Sequence, residues 1–324
     1  MLTRRLLTTN GRHPQVAAIG ALLLLSGPTW AGAQDGGGPD ERAIEIAHQA
    51  LDAIESGWAL AQYDGAERVR AAINARGGGA TPIGITSNFV VDRPARRWRL
   101  DTGGDVGPLT LYADREQMTL FSPDLEQFAR QPTGMLALGD GSGDGLVAQL
   151  IATRQRLDHG YRLLRYVGEE TISGALAHRI EDAPAPGTTA TYWIDTVTHL
   201  PRRAELARPG RRDVRIEFHY GASPRPARVE IYLEGEHDVQ TTATLRYDGV
   251  GRVSQAHAVN RVGGGDEFTS DINVDWSPTV AAGFFSFTPP SGTQEVPFQQ
   301  LVSGLVFAAA AKLAAILPLV PESR

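Results

Sequence analysis

A chain of 324 residues with 42% hydrophobic content has room for one large β domain or two smaller ones, so size does not limit its core. Its 36 glycines and 20 prolines favour turns over long helices, and the lack of cysteine excludes disulfides, thiolate metal sites, a cysteine nucleophile and a lipidated cysteine anchor. The formal net charge of -6 speaks against a general nucleic-acid binder.

Residues 1–33 read as a cleavable signal peptide. Arg4, Arg5 and Arg12 form a basic leader, Val16 to Leu25 an apolar run, and Ala31-Gly32-Ala33 a small-residue cleavage site, which predicts export to the periplasm. Loss of those three arginines, with no acid lost, takes the charge from -6 to -9. Residues 34–40 form a glycine-rich mature terminus. One domain is expected over 41–296, followed by an apolar tail over 297–324.

Ile44, Ala47, Leu51, Ile54 and Trp58 recur at spacings of three and four, which predicts an amphipathic helix over 41–60. Residues 66–75 are open between an extension of that helix and a strand. The Gly77-Gly78-Gly79 turn and the run from Thr81 to Val91 favour strands. From Phe89 to Arg130 the pattern is an antiparallel meander: Trp98 and Leu100 alternate with Arg97, Arg99 and Asp101, giving one apolar and one charged face. Runs over 109–112 and 118–121 flank Ala113-Asp114-Arg115-Glu116, a polar hairpin turn.

Residues 131–145 read as a loop and 146–157 as a second short helix. Asp140 to Gly145 looks like the opening of a calcium loop, but Ile151 stands where the bidentate glutamate is needed, so no metal is expected there. Strands follow over 161–167, 175–181, 189–194, 202–206 and 214–220, with Gly168 and Gly174 among the separators. Four more are expected over 229–233, 241–247, 253–260 and 268–276. Pro289-Pro290, after Phe284 to Phe287, is expected to stop further pairing. Residues 301–320 carry only Ser303 and Lys312 as strongly polar positions. A membrane anchor, a helix packed on the domain and an amphiphilic surface helix all remain open for them.

No nucleophile elbow, S-x-x-K, phosphate loop or H-E-x-x-H pattern is present. The eight histidines are dispersed; His178, His199 and His257 read as ordinary strand or turn residues. Catalytic residues, metals and cofactors are therefore not expected. Arg93, Arg96, Arg97 and Arg99 suit either a solvated strand face or contact with phosphate or a lipid headgroup. Trp98, Leu111, Leu120, Phe121 and Phe128 are core positions by default, and face a ligand only if a barrel fails to close on its own side chains.

Several motifs in order carry a resemblance. Val91-Asp92-Arg93-Pro94, the stretch from Tyr112 to Arg130, Tyr192-Trp193-Ile194-Asp195 followed by Leu200-Pro201-Arg202, and the closing Phe285-Ser286-Phe287-Thr288-Pro289-Pro290-Ser291-Gly292 together resemble the LolA/LolB-like superfamily of periplasmic lipoprotein carriers and related domains. The resemblance spans residues 41–296. It implies a mainly β, α+β fold, an incomplete antiparallel half-barrel wrapped over helices with a lid helix, to which this chain adds a C-terminal apolar helix.

It also implies a non-enzymatic protein whose apolar cavity takes lipid or lipoprotein acyl chains. Trp98, Leu111, Leu120, Phe121, Phe128 and Trp193 would line that cavity, Arg93 would latch the lid, and an inner- or outer-membrane protein would accept the cargo. The alternative within the same fold is an envelope-sensing regulatory module bound to a membrane protein. A hydrolase would require a nucleophile and base within reach of one pocket.

Overall fold

A computed structural model describes residues 40–57, 66–76, 83–105, 107–133, 154–155, 157, 164–185, 187–208, 211–233, 240–262 and 266–316. The expected signal peptide, the Asp140 to Gly145 run and most of the second helix candidate lie outside the described residues; of that candidate, residues 154, 155 and 157 are helical. The chain divides into two compact units, the first of residues 1–62 and 142–252, the second of residues 63–141 and 253–324.

Helix α1 spans Glu41–Gly57. Asp40 caps it, accepting hydrogen bonds on Oδ1 from the backbone N–H groups of Arg42 (3.0 Å) and Ala43 (3.2 Å), two donors that the first helical turn cannot satisfy internally. Its buried stripe is Ala43, Ile46, Ala47, Ala50, Leu51 and Ile54. Ala47, Leu51 and Ile54 are the expected positions, while Ala43, Ile46 and Ala50 widen the face; Ile44 is half-buried, and Trp58 lies outside the described residues.

Among the described residues the strands are β1 (Ala66–Arg76), β2 (Ile83–Asp92), β3 (Arg97–Gly104), β4 (Leu109–Ala113), β5 (Gln117–Ser122), β6 (Gln127–Pro132), β7 (Arg165–Ile172), β8 (Ala175–Ala185), β9 (Thr188–Asp195), β10 (Pro201–Arg208), β11 (Arg211–Tyr220), β12 (Pro226–Leu233), β13 (Thr241–Tyr247), β14 (Val253–Val262), β15 (Asp266–Asp275) and β16 (Gln294–Glu295). The ambiguous stretch after the first helix is therefore strand β1.

Two expectations fail. Gly168 does not end a strand: it lies inside β7, where the register shifts between Tyr166 and Gly168, and its φ of 145° suits the bulge. Nor does Pro289-Pro290 end pairing. The prolines lack N–H donors, but the chain resumes beyond them: Gln294 N–H donates to the Glu126 carbonyl (3.0 Å) and Val296 N–H to that of Phe128 (2.9 Å), so β16 runs parallel to β6.

The first unit holds α1 and an open sheet in the order β13-β12-β11-β10-β9-β8-β7, every neighbour antiparallel. One face carries buried Tyr192, Ala204, Ile216, Phe218 and Val229. Five register shifts along these strands bend the sheet locally.

The second unit has the order β16-β6-β5-β4-β3-β2-β1-β15-β14 and a helix, α2 (Phe298–Ile316). The start of α2 packs on the sheet: Leu301 is fully buried against Leu120 and Ala129, with Phe298 and Leu305 beside it. Among the described residues no helix is long and apolar enough to cross a membrane. Of the three readings of the tail, packing on the domain describes residues 298–305.

Candidate functional site

Strand alternation gives the second unit's sheet two unlike faces. On one, the cross-strand pairs Phe89 with Leu100, Val91 with Trp98, Leu100 with Leu111, Trp98 with Ala113 and Leu120 with Ala129 form a continuous apolar surface. Phe298 touches both clusters of that surface, one around Val91, Trp98 and Met118 and the other around Leu120 and Ala129. Gly304 brings α2 close to Leu125, since a Cβ there would meet Leu125 Cδ1 at 3.3 Å.

The opposite side of α2 is not covered. Val302, Val306 and Phe307 are 38%, 56% and 76% exposed, so the helix is apolar on both sides. A helix with that distribution ordinarily sits in a core or against lipid rather than between a core and water.

The other face of the sheet is polar and aromatic. Phe121 and Phe128 are paired across β5 and β6, and both rings meet Phe287, at centroid distances of 5.4 and 5.2 Å; Tyr112 meets it at 5.3 Å. Phe287 belongs to a non-repetitive segment that crosses this face and is held there by β3. Arg99 Nη1 donates to the Phe284 carbonyl (3.1 Å), and its guanidinium also pairs with Asp101 and lies over the Tyr112 and Phe284 rings. Arg97 lies over Phe285.

The structure thus separates the expected ligand-facing residues. Trp98, Leu111 and Leu120 share the apolar face under α2; Phe121 and Phe128 stand on the opposite face, under Phe287. Trp193 belongs to the first unit, where it packs with Ile172 and Ala177 and donates from Nε1 to Glu170 (2.8 Å). The physical reason is the two-residue period of strands: Leu120 and Phe121 are adjacent in sequence and must face opposite ways. Arg93 is exposed in the turn between β2 and β3, where its carbonyl accepts a hydrogen bond from Arg96 N–H (3.0 Å) and Arg96 takes a positive φ of 50°.

In the first unit, the motif of Trp193-Ile194-Asp195 and Leu200-Pro201-Arg202 forms a locked hairpin. Asp195 accepts from Val197 and Thr198 N–H on one oxygen and from Arg202 (2.7 Å) on the other. Burial is the largest single influence on its pKa and raises it, but the Thr198, Arg202 and Val197 hydrogen bonds together hold it below the usual carboxylate value. Tyr220 donates its hydroxyl to the Pro201 carbonyl (2.9 Å), and burial pushes its pKa well up.

Sequence reading passed over one cluster. Glu217 and His219 on β11 and Glu230 on β12 place their potential ligand atoms within 4.8 Å of one another. The E-x-H spacing on one strand was the only sequence signal for it. The chemistry favours an ion-pair network over a cation site: Glu217 meets Arg203 (2.9 Å) and Arg215 (3.5 Å), while Glu230 meets Arg228 (3.4 Å), His219 (2.9 Å) and the Tyr232 hydroxyl (3.2 Å). A divalent ion would enter beside three guanidinium groups. His178 and His257 likewise face acids, Glu169 at 3.4 Å and Asp271 at 2.7 Å.

No family model matches the chain, and no curated protein matches it. Among solved structures it is similar to a DUF1329 family protein from Desulfovibrio piger, with 13% identity over 80% of this chain and 100% of that one and a TM-score of 0.31. It is also similar to a LolA superfamily protein from Nitrosomonas europaea, with 10% identity over 74% of this chain and 97% of that one and a TM-score of 0.33.

Proposed function

We propose that this chain is a non-enzymatic envelope protein that binds lipid, or the acyl chains of a lipoprotein, on the apolar sheet face that α2 covers. The observation that carries the reading is α2 itself, which lays Phe298, Leu301 and Leu305 on that face while exposing Val302, Val306 and Phe307. A cover of this kind exchanges readily. Full burial of three such side chains is worth at most roughly 9 kcal/mol, about what eleven buried methylenes give at ~0.8 kcal/mol each. An acyl chain therefore competes with the helix on even terms, and the helix side now exposed offers the same chain a second apolar surface. The leader read from residues 1–33 supports the envelope location, and the ordered motifs support the carrier role.

Organic extracts of the purified mature chain, analysed by mass spectrometry, should contain lipid, and the delipidated chain should take up a fluorescent fatty acid. Lipid-free protein with no uptake would overturn the reading.

A further inference from the structure

The polar face of the second unit's sheet contains an open cavity of about 520 Å³ that acyl binding does not use. Its shape follows from register. One row across the sheet is Asp271, Ala72, Thr86 and Gly103, and the next is Asn273, Arg70, Asn88 and Asp101. Ala72 and Gly103 make the first row low, while the arginine and amides of the second row form a wall. Arg68, one row further, also lines the cavity.

The charges here are unequal. Asp101 is already engaged by Arg99 (2.9 Å) and by the Thr110 hydroxyl (2.9 Å), and Asp271 by His257 (2.7 Å). Arg70 is exposed and has no ion-pair partner among the described residues. Arg68 donates to the Thr279 carbonyl (3.3 Å) through one terminal nitrogen, while its Nε is buried and unpaired. The cavity wall thus offers a guanidinium with no competing acid beside hydroxyl and amide groups, a set that suits an anionic ester carrying hydroxyls.

We propose that this cavity binds a phosphorylated polyol. Phosphate oxygens would accept from the exposed Arg70 guanidinium, and polyol hydroxyls would meet the Thr86 hydroxyl and the Asn273 amide that line the same cavity. Guanidinium groups bind phosphate through charge-assisted, often forked hydrogen bonds. A cavity of this size holds glycerol phosphate, whether free or as the head of a phospholipid.

The test is calorimetric titration of the full chain at low ionic strength with glycerol 3-phosphate and with glycerol, and sedimentation with vesicles of phosphatidylglycerol or of phosphatidylcholine. The proteins are the wild type, Arg70→Gln and Ala72→Leu, which raises the cavity floor without removing charge. Saturable binding of glycerol 3-phosphate but not glycerol identifies a soluble ester. Binding only to phosphatidylglycerol vesicles identifies a lipid headgroup. In either case both variants should weaken affinity at least tenfold, about 1.4 kcal/mol.

Should Ala72→Leu lose its fold, Gly103→Ala replaces it, since the added methyl would meet only Thr86 Oγ1, at 3.3 Å. No saturable binding to either anionic probe, or binding that the floor variant leaves unchanged, overturns the proposal. Fatty-acid uptake by Arg70→Gln should match the wild type, so failure here is distinct from failure of the acyl-binding reading.

Discussion

Arg99 and Phe284 are 185 positions apart, yet Arg99 Nη1 donates a 3.1 Å hydrogen bond to the Phe284 carbonyl while its guanidinium lies 4.6 Å from the centre of the Phe284 ring. The contact ties the closing Phe-x-Phe segment to the β3–β4 meander. It does so on the sheet face opposite to α2.

Arg99→Leu should therefore loosen the segment without dismantling the sheet. Loss of a charge-assisted hydrogen bond predicts destabilisation of about 1–3 kcal/mol in urea unfolding. Amide exchange at Phe284 and Ser286, whose N–H groups bond within the segment, should quicken. Exchange at wild-type rates would show that the aromatic contacts of Phe287 hold the segment alone.

The two sides of α2 predict opposite outcomes. Leu301→Ala empties a fully buried position against Leu120 and Ala129 and should cost about 2–4 kcal/mol. Phe307→Ala changes an exposed side chain and should leave stability within about 0.5 kcal/mol, while reducing fatty-acid uptake if the outer side of the helix meets lipid. Equal effects of both substitutions on the urea midpoint would contradict the packing described for α2.

Asp40 joins α1 to β7, since its second oxygen accepts from Tyr166 N–H (2.9 Å). That bond, opposed by burial and aided by the Ala43 and Arg42 amides, holds its pKa below the ordinary 3.8. A depressed folded-state pKa gives stability that is fully present above the unfolded value and lost as pH falls through the folded one. Asp40→Ala should cost about 0.5–2 kcal/mol at neutral pH. Its penalty should shrink below pH 3.8, and an unfolding series from pH 7 to about pH 2 would reveal a constant penalty if the cap were not the cause.

Arg93 is exposed in the turn between β2 and β3, so Arg93→Leu should leave the unfolding midpoint within about 1 kcal/mol of wild type. If it latches the cover, the variant should release bound fatty acid faster. Unchanged release would remove it from the mechanism and leave Arg97 and Arg99 as the arginines that tie a segment to the sheet.

Strand identity in the meander was legible because Trp98 and Leu100 alternate with Arg97 and Arg99, and the structure keeps that division. The candidate site was legible only in part. Leu120 and Phe121 were grouped by apolar character, and the pleat sends them to opposite faces. The pairing of β16 with β6 left no sequence pattern, because it uses backbone groups of Glu126 and Phe128 that carry no side-chain signature. Likewise the cavity wall formed by Arg70 and Asn88 depends on register between β1 and β2.

Sequence alone determined the β-rich composition, a helix expected over 41–60 and described over Glu41–Gly57, the apolar character of the tail and the lack of a catalytic pattern, because each rests on local periodicity or residue chemistry. Tertiary structure decided which face each apolar residue serves, that α2 lies on Leu120 and Ala129, that Phe287 covers Phe121 and Phe128, and that Arg99 bonds the closing segment. These contacts join residues far apart in the chain. Their partners are fixed by strand order and register, which no local pattern encodes.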